Sequence, residues 1–306
     1  MKRYILNILL FFSIVVAIDF CIGLIGDYLQ ANAKGGDTRK LNDLVMNDRH
    51  DIIILGSSRA RHHYDTPYLS DTLGLDVYNA GYDGNGVVLA YGLLDMILAR
   101  YQPKLVIFDV EPSFDISVYS GDNNHKRYIS LLKPYYSKSR VREVIKDVSY
   151  EEWYKVHFGM LRYNSSLISL IADYLRSDNR SVPDYGYEPL VGCYDGEPRI
   201  STGINDPEDS FKLKYIGELI DLAQSHDVPI VFVASPQYGK NLSSVLQPAA
   251  EICKEKNVAF LNYYEDSTFM KHKDWFKEPM HLNFEGARLF SSVIVEMINA
   301  IIDNGE

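Results

Sequence analysis

Two residues at opposite ends of the 306-residue chain have the types that nucleophilic catalysis uses, Ser58 and His281. Ser58 lies in the stretch Asp51-Ile-Ile-Ile-Leu-Gly-Ser-Ser-Arg59, and His281 in Asp274-Trp-Phe-Lys-Glu278-Pro-Met-His281-Leu-Asn283-Phe-Glu-Gly286. A serine hydroxyl is a weak nucleophile until a neighbouring base takes its proton, and in a triad a carboxylate holds the histidine in the tautomer that can do so. Two carboxylates precede the histidine. Glu278 stands three residues back, with Pro279 stiffening the turn, while Asp274 lies four positions further, beyond Trp275 and Phe276. One extra methylene in a glutamate is absorbed by a rotamer, whereas four extra residues must fold back to reach the same nitrogen. Glu278 is therefore the expected acid and Asp274 the alternative, a surface or capping carboxylate.

The elements around these residues set where they can sit. Ile52 to Leu55, bounded by Asp51 and Gly56, is too short for a helix and rich in β-branching, so it reads as a buried parallel strand. Gly56 permits a tight turn, and Ser57 and Ser58 suit the cap of a following helix. A hydroxyl there lies at the carboxyl end of a central strand, the rim where open α/β sheets bind ligands. The stretch from Phe284 to Ile302 is an amphipathic helix, which puts His281 in a loop at a helix entrance. Between the two ends the spacing predicts strands at Asp76–Ala80, Lys104–Val110, Val228–Ala234 and Val258–Asn262, with helices at Val87–Tyr101, Phe211–His226 and Leu246–Lys256.

With those blocks quoted, the chain resembles the SGNH, or GDSL-type, hydrolase superfamily over roughly residues 51 to 302. That superfamily's first block is a Gly-Asp-Ser turn after the first strand and its last an Asp-x-x-His pair; here they read Gly56-Ser57-Ser58 and Glu278-Pro279-Met280-His281. Ser57 for Asp and Glu278 for Asp are the departures, and with His281-Leu-Asn283 they are similar to the membrane-anchored branch associated with O-acylation of cell-surface polysaccharides. The resemblance implies a flavodoxin-like three-layer α/β/α sandwich, five parallel strands with helices on both faces. It implies Ser58 as nucleophile, His281 as general base, and an oxyanion hole from the N–H groups of Ser58 and of Gly84 in the turn Asn79-Ala-Gly81-Tyr-Asp-Gly84-Asn-Gly86. The third-block asparagine is missing after Asp109-Val-Glu111, so Asn85 is a candidate replacement, the alternative being two backbone donors alone. Glu111 and Asp115 at the same rim are expected to be solvated or arginine-paired. The implied activity is acyl-ester chemistry outside the cytoplasm, O-acetyl transfer to or removal from a surface polysaccharide. The implied partners are a carbohydrate or acyl-ester substrate and a membrane-bound acyl donor, and no cofactor or metal is called for. A non-catalytic binding or assembly protein of an envelope complex is the rival, favoured by the missing asparagine and by Ser57.

Composition bounds the rest. A net charge of −10 with no Lys/Arg run argues against nucleic acid. Tyr4 to Ile25 is apolar almost throughout and spans about 33 Å at about 1.5 Å per residue, which matches a bilayer core. Asp19 in mid-span costs about 2.5 to 3.5 kcal/mol, less than the gain from its Ile, Leu, Val and Phe neighbours. Lys2 and Arg3 ahead of the span put the chain beyond Asp27 outside the cytoplasm, although Ala31-Asn-Ala33 also has the form of a signal-peptide cleavage site. Expected divisions are an anchor at 1–30, a tether at 31–50, and an α/β domain at 51–306. Within the domain, an insertion of about ninety residues, 114–205, exceeds an ordinary crossover and reads as a cap or lid. Eleven of the 23 tyrosines lie in that insertion, fitting either a sugar-stacking surface or a small aromatic core. Cys193 and Cys253 are equally readable as a disulfide or as free thiols, and His62-His63 as a surface pair.

Overall fold

The computed structural model describes residues 1–119, 121, 124–138, 140–164, 166–176, 185–200, 207–240 and 243–303. They divide into two compact units, Met1–Asn47 with Asn124–Val182, and Asp48–Asn123 with Pro183–Glu306.

In the second unit β1 (Ile52–Gly56), β2 (Val77–Gly81), β3 (Leu105–Asp109), β4 (Ile230–Ala234) and β5 (Phe260–Asn262) form one parallel sheet in the order β2-β1-β3-β4-β5. That is the flavodoxin-like order, in which β1 and β3 flank the point where the chain reverses its direction of winding. β1 to β4 are buried from end to end, the reason they read as apolar runs and not as alternating ones. Ile52, Ile54, Val77, Leu105, Ile107, Val231 and Val233 share a core with α3 (Ser58–His63), α4 (Thr66–Leu73) and α13 (Phe284–Asp303). The alternate residues, among them Ile53, Leu55, Val106, Phe108 and Phe232, face the other layer, where α5 (Val87–Leu98) packs on α11 (Ser210–Gln224). α12 (Gln247–Glu255) follows α11 beside β5, and α6 (Pro112–Asp115) is a single turn after β3. The hydroxyl-bearing turn and the His281 loop both open at the carboxyl ends of the strands.

The first unit is helical. α1 (Lys2–Ala31) carries a stretch of mean hydropathy 2.8 and is long and apolar enough to cross a membrane. α2 (Gly36–Asn42) and a π-helical turn at Asp43–Asn47 occupy the expected tether, with Leu41, Leu44 and Val45 buried. α7 (Val141–Val148), α8 (Tyr150–Lys155), α9 (Gly159–Arg162) and α10 (Leu167–Leu175) come from the stretch read as a cap. That stretch is divided: 124–182 groups with the N-terminal helices, and 183–205 returns to the α/β unit, with 177–184 and 201–206 outside the described residues. Tyr128, Tyr135 and Tyr163 are buried, and Tyr163 packs with Leu29 and Leu170 in a small core. All three cysteines are free; Cys253 is buried, which pushes its thiol up to about 12, and Cys193 is exposed.

Phe290 of α13 is fully buried with the rings of Tyr64, Tyr263 and Phe269 around it. Phe290→Ala should destabilise the α/β unit by about 3 to 5 kcal/mol, while exposed Val293→Ala should change stability by less than about 0.5 kcal/mol. Urea midpoints measured by tryptophan fluorescence check both.

Candidate active site

β1 ends at Gly56, whose φ of +144° is open to glycine and which lies so close to β3 that an added Cβ would meet the Asp109 carbonyl oxygen at 2.7 Å. The chain turns there into α3. Ser57 is the N-cap, its hydroxyl accepting from the Arg59 N–H at 3.4 Å, and Ser58 is the first helical residue. Ser57 therefore has a capping role where the GDSL pattern places Asp.

The His281 loop is a short antiparallel pair, β6 (Phe276–Glu278) and β7 (His281–Leu282), joined by Pro279-Met280. It brings His281 Nε2 to 2.7 Å from Ser58 Oγ, so the serine hydroxyl donates to the imidazole across 223 positions of sequence. On the other ring nitrogen, Nδ1–H donates to Glu278 Oε1. Glu278 Oε2 accepts the Met280 N–H at 2.9 Å, which locks the carboxylate in place. Burial raises the Glu278 carboxyl, but its bonds from His281 and Met280 outweigh that and leave it below the ordinary range. Asp274 is exposed, 3.7 Å from His272, and its backbone carbonyl accepts from the Asn283 amide. Three residues of spacing reach the ring and seven do not.

Gly84 lies in the turn between β2 and α5 with φ +66°. Among the described residues its N–H and that of Ser58 donate no hydrogen bond. The Asn85 amide donates to the Asp83 carbonyl at 3.0 Å. Arg61 and His62 hold the Asp83 carboxylate, at 3.6 and 3.4 Å, and Arg61 also pairs with Glu188 at 2.6 Å. Burial lowers the His62 imidazole, but its bonds to Asp83 and to the Glu188 carbonyl outweigh that and raise it.

Several residues that support the site differ from expectation. His62 and His63 are buried, so they are not a surface pair. The His63 Nε2 accepts the Leu282 N–H at 3.0 Å, which places the proton on Nδ1, 2.8 Å from Ser235 Oγ. The residue next to His281 is thus held from α3 itself. Burial, with Arg59 nearby, keeps His63 well below its ordinary pKa and neutral. Glu111 and Asp115 are buried and not solvated, and of the two expected alternatives Glu111 takes the arginine-paired one. Glu111 pairs with Arg59 at 3.4 Å. Asp115 accepts the N–H groups of Glu111 at 2.6 Å and Val87 at 2.7 Å, and burial pushes it up to about 8. It thereby ties the first residue of α5, just past the Gly84 turn, to the end of β3. Arg59, also fully buried, bonds Ser235, Glu111 and Gln237, lies 3.6 Å from Asp109 and stacks over Tyr264 at 4.6 Å. Asn283 caps α13 through Gly286 N–H and donates to the carbonyls of Gly192 and Asp274. Its position at a helix entrance, with glycine three residues on, was a readable signal; nothing in the sequence distinguished Arg59 or His63.

A histidine whose folded-state pKa is depressed binds fewer protons than the unfolded chain below about pH 6.5, so stability falls as pH drops from there. His63→Gln keeps an acceptor for the Leu282 N–H without the titrating ring. Relative to the unaltered protein it should flatten the decline below about pH 6.5 by up to about 1.4 kcal/mol per pH unit, read from urea unfolding at several pH values.

No protein family's sequence model matches the chain, and no curated protein matches it. A search of solved structures finds similarity to a "putative lipolytic protein of G-D-S-L family" from Desulfitobacterium hafniense DCB-2, at 11% identity and a TM-score of 0.39, covering 80% of this chain and 98% of that one. The chain has an α/β fold built on one parallel five-stranded sheet, with Ser58, Glu278 and His281 brought together at its rim.

Proposed function

We propose that the chain is an extracytoplasmic serine acyl-ester enzyme. The observation that carries the reading is the continuous run of hydrogen bonds from Ser58 Oγ through His281 to Glu278. Ser58 Oγ attacks the ester carbonyl as His281 Nε2 takes its proton, forming an Oγ–C bond and a tetrahedral oxyanion. His281 then passes that proton to the departing alkoxide, leaving an acyl-serine, and Glu278 stabilises the imidazolium that forms between the two steps. A sugar hydroxyl or water, deprotonated by His281, releases the acyl group. The Ser58 and Gly84 N–H groups are the oxyanion donors, each worth about 2.7 to 4 kcal/mol in comparable sites. The envelope glycan as acceptor or substrate, the acetyl group and a membrane-bound acyl donor are drawn from the sequence resemblance and from the membrane anchor.

Retention of α1 is supported by its packing. Gly23, Gly26, Leu29 and Gln30 are buried, and Leu29 shares a core with Tyr163 and Leu170. Cleavage after Ala33 would remove the helix that this core is built on. Lys2 and Arg3 ahead of the span support a globular chain outside the cytoplasm. A second reading, a non-catalytic envelope binding protein, is favoured by one observation: Glu111, where a third oxyanion donor belongs, is a carboxylate engaged by Arg59.

A fluorophosphonate probe should label the full-length protein at Ser58, and Ser58→Ala should abolish labelling. Absence of labelling with the fold intact would favour the non-catalytic reading. On an activated acetyl ester, Glu278→Gln should cut turnover by as much as about ten-thousandfold and Asp274→Asn by less than about threefold.

A further inference from the structure

The carboxylate within α1 has partners. Asp19 Oδ2 accepts the Gly159 N–H at 3.1 Å and Oδ1 the Met160 N–H at 2.9 Å, so the first N–H groups of α9 and the charge in the apolar helix satisfy each other. The two backbones are in contact there: a Cβ on Gly159 would strike Gly23 N and the Asp19 carbonyl oxygen, and only glycine fits. Three residues on, Arg162 grips both Asp27 oxygens at 2.9 Å and Tyr163 donates to Asp27 at 2.6 Å. The chain then recedes along α1, with Leu170 against Leu29 and the Asp173 carbonyl accepting from Lys34 and Gly35.

Residues 157–162 thus reach a level of α1 that lies within the apolar span. Asp19 is six residues before Ile25, about 9 Å inside the apolar end at about 1.5 Å per residue. At that level Phe158, Met160 and Leu161 are 51%, 45% and 48% exposed, and between Lys155 and Arg162 the segment has no formally charged side chain. An open groove of about 560 Å³ lies between it and α1, lined by Val15, Val16, Phe20 and Leu24 on one side and Phe158 and Leu161 on the other, with Asp19, His157 and the paired Asp27 and Arg162 also in its lining. Apolar side chains are thus exposed beside a helix whose own exposed surface at the same level is Val16, Phe20 and Leu24. In water such a patch is a liability, whereas in hydrocarbon it continues the surface of the anchor. Backbone at that depth is tolerated only when its polar groups are paired, and Asp19 pairs the two N–H groups that open α9.

We infer that residues 157–162 are a second membrane element, a hook that enters the outer leaflet beside α1, with a lipid acyl chain in the groove between them. This rests on the reading of α1 as a retained anchor. It also gives Asp19 a purpose in the span: it holds the hook.

The test is photo-cross-linking of the full-length protein in phosphatidylethanolamine–phosphatidylglycerol vesicles. A benzophenone amino acid replaces Leu161, Leu10 on the exposed surface of α1, or Val191 on the exposed surface of the α/β unit. The inference expects a lipid-mass shift on the peptides carrying positions 161 and 10, and none at 191. Met160 is a second reporter if the probe at Leu161 prevents folding. A lipid adduct at 10 with none at 161 or 160 would overturn the hook and leave the anchor standing. No adduct at 10 would overturn the anchor and the hook together, and an equal adduct at 191 would overturn the assignment to lipid.

Discussion

The hydrogen bond from the Leu282 N–H to His63 Nε2 is the constraint on which the site geometry depends. It joins two parts of the sheet rim that the chain separates by more than two hundred residues. α3 carries Ser58 at its first turn and His63 at its end, so one six-residue helix presents the hydroxyl and also holds the backbone beside His281. The imidazole of His63 can do this only as a neutral acceptor. Its burial beside Arg59 enforces that state, and Ser235 takes the other nitrogen. Asn283 fixes the far side of the same loop by capping α13. His281 therefore reaches Ser58 from a loop pinned at both of its following residues, which limits the motion that would break a 2.7 Å contact.

Beneath the rim is a second layer of charge. Arg59 lies between Asp109 and Glu111 with no exposure to water, and its guanidinium is held in its charged form by those carboxylates against the cost of burial. Asp109, pushed up to about 6 by burial, is also bonded by Tyr64. Such clusters add little net stability over an apolar core, yet losing one partner leaves a buried charge and costs about 3 to 5 kcal/mol. Their geometry is consequently fixed. Here it joins the turn after β1, the end of β3 and the end of β4, three strand ends that define the floor of the site.

The sheet was legible because buried parallel strands are short apolar runs closed by glycine, proline or charge, and Ile52–Leu55, Leu105–Phe108 and Ile230–Ala234 have that form. Ser58 and His281 were legible because a strand–turn–helix and a loop at a helix entrance leave few places for them. The contact between Glu278 and His281 followed from spacing, which outweighs residue type when a ring nitrogen must be reached within one turn. The grouping of residues 124–182 with the N-terminal helices was not legible, because a helical pattern says nothing about which distant segment it packs on. Gly23, Gly26 and Gly159 record that packing only once the partner is known. His63 and Arg59 were opaque for a related reason: a polar residue on a short helix has the same sequence signature whether it faces solvent or a buried partner.

Whether Ser58 is a nucleophile activated by His281 is decided most directly by mass spectrometry. The full-length protein is quenched in acid within seconds of mixing with an activated acetyl ester, and its peptides are mapped. One acetyl increment is expected on the peptide holding Ser58, absent when His281 is replaced by Ala. An unmodified Ser58, or equal acetylation in the His281→Ala protein, would contradict that activation.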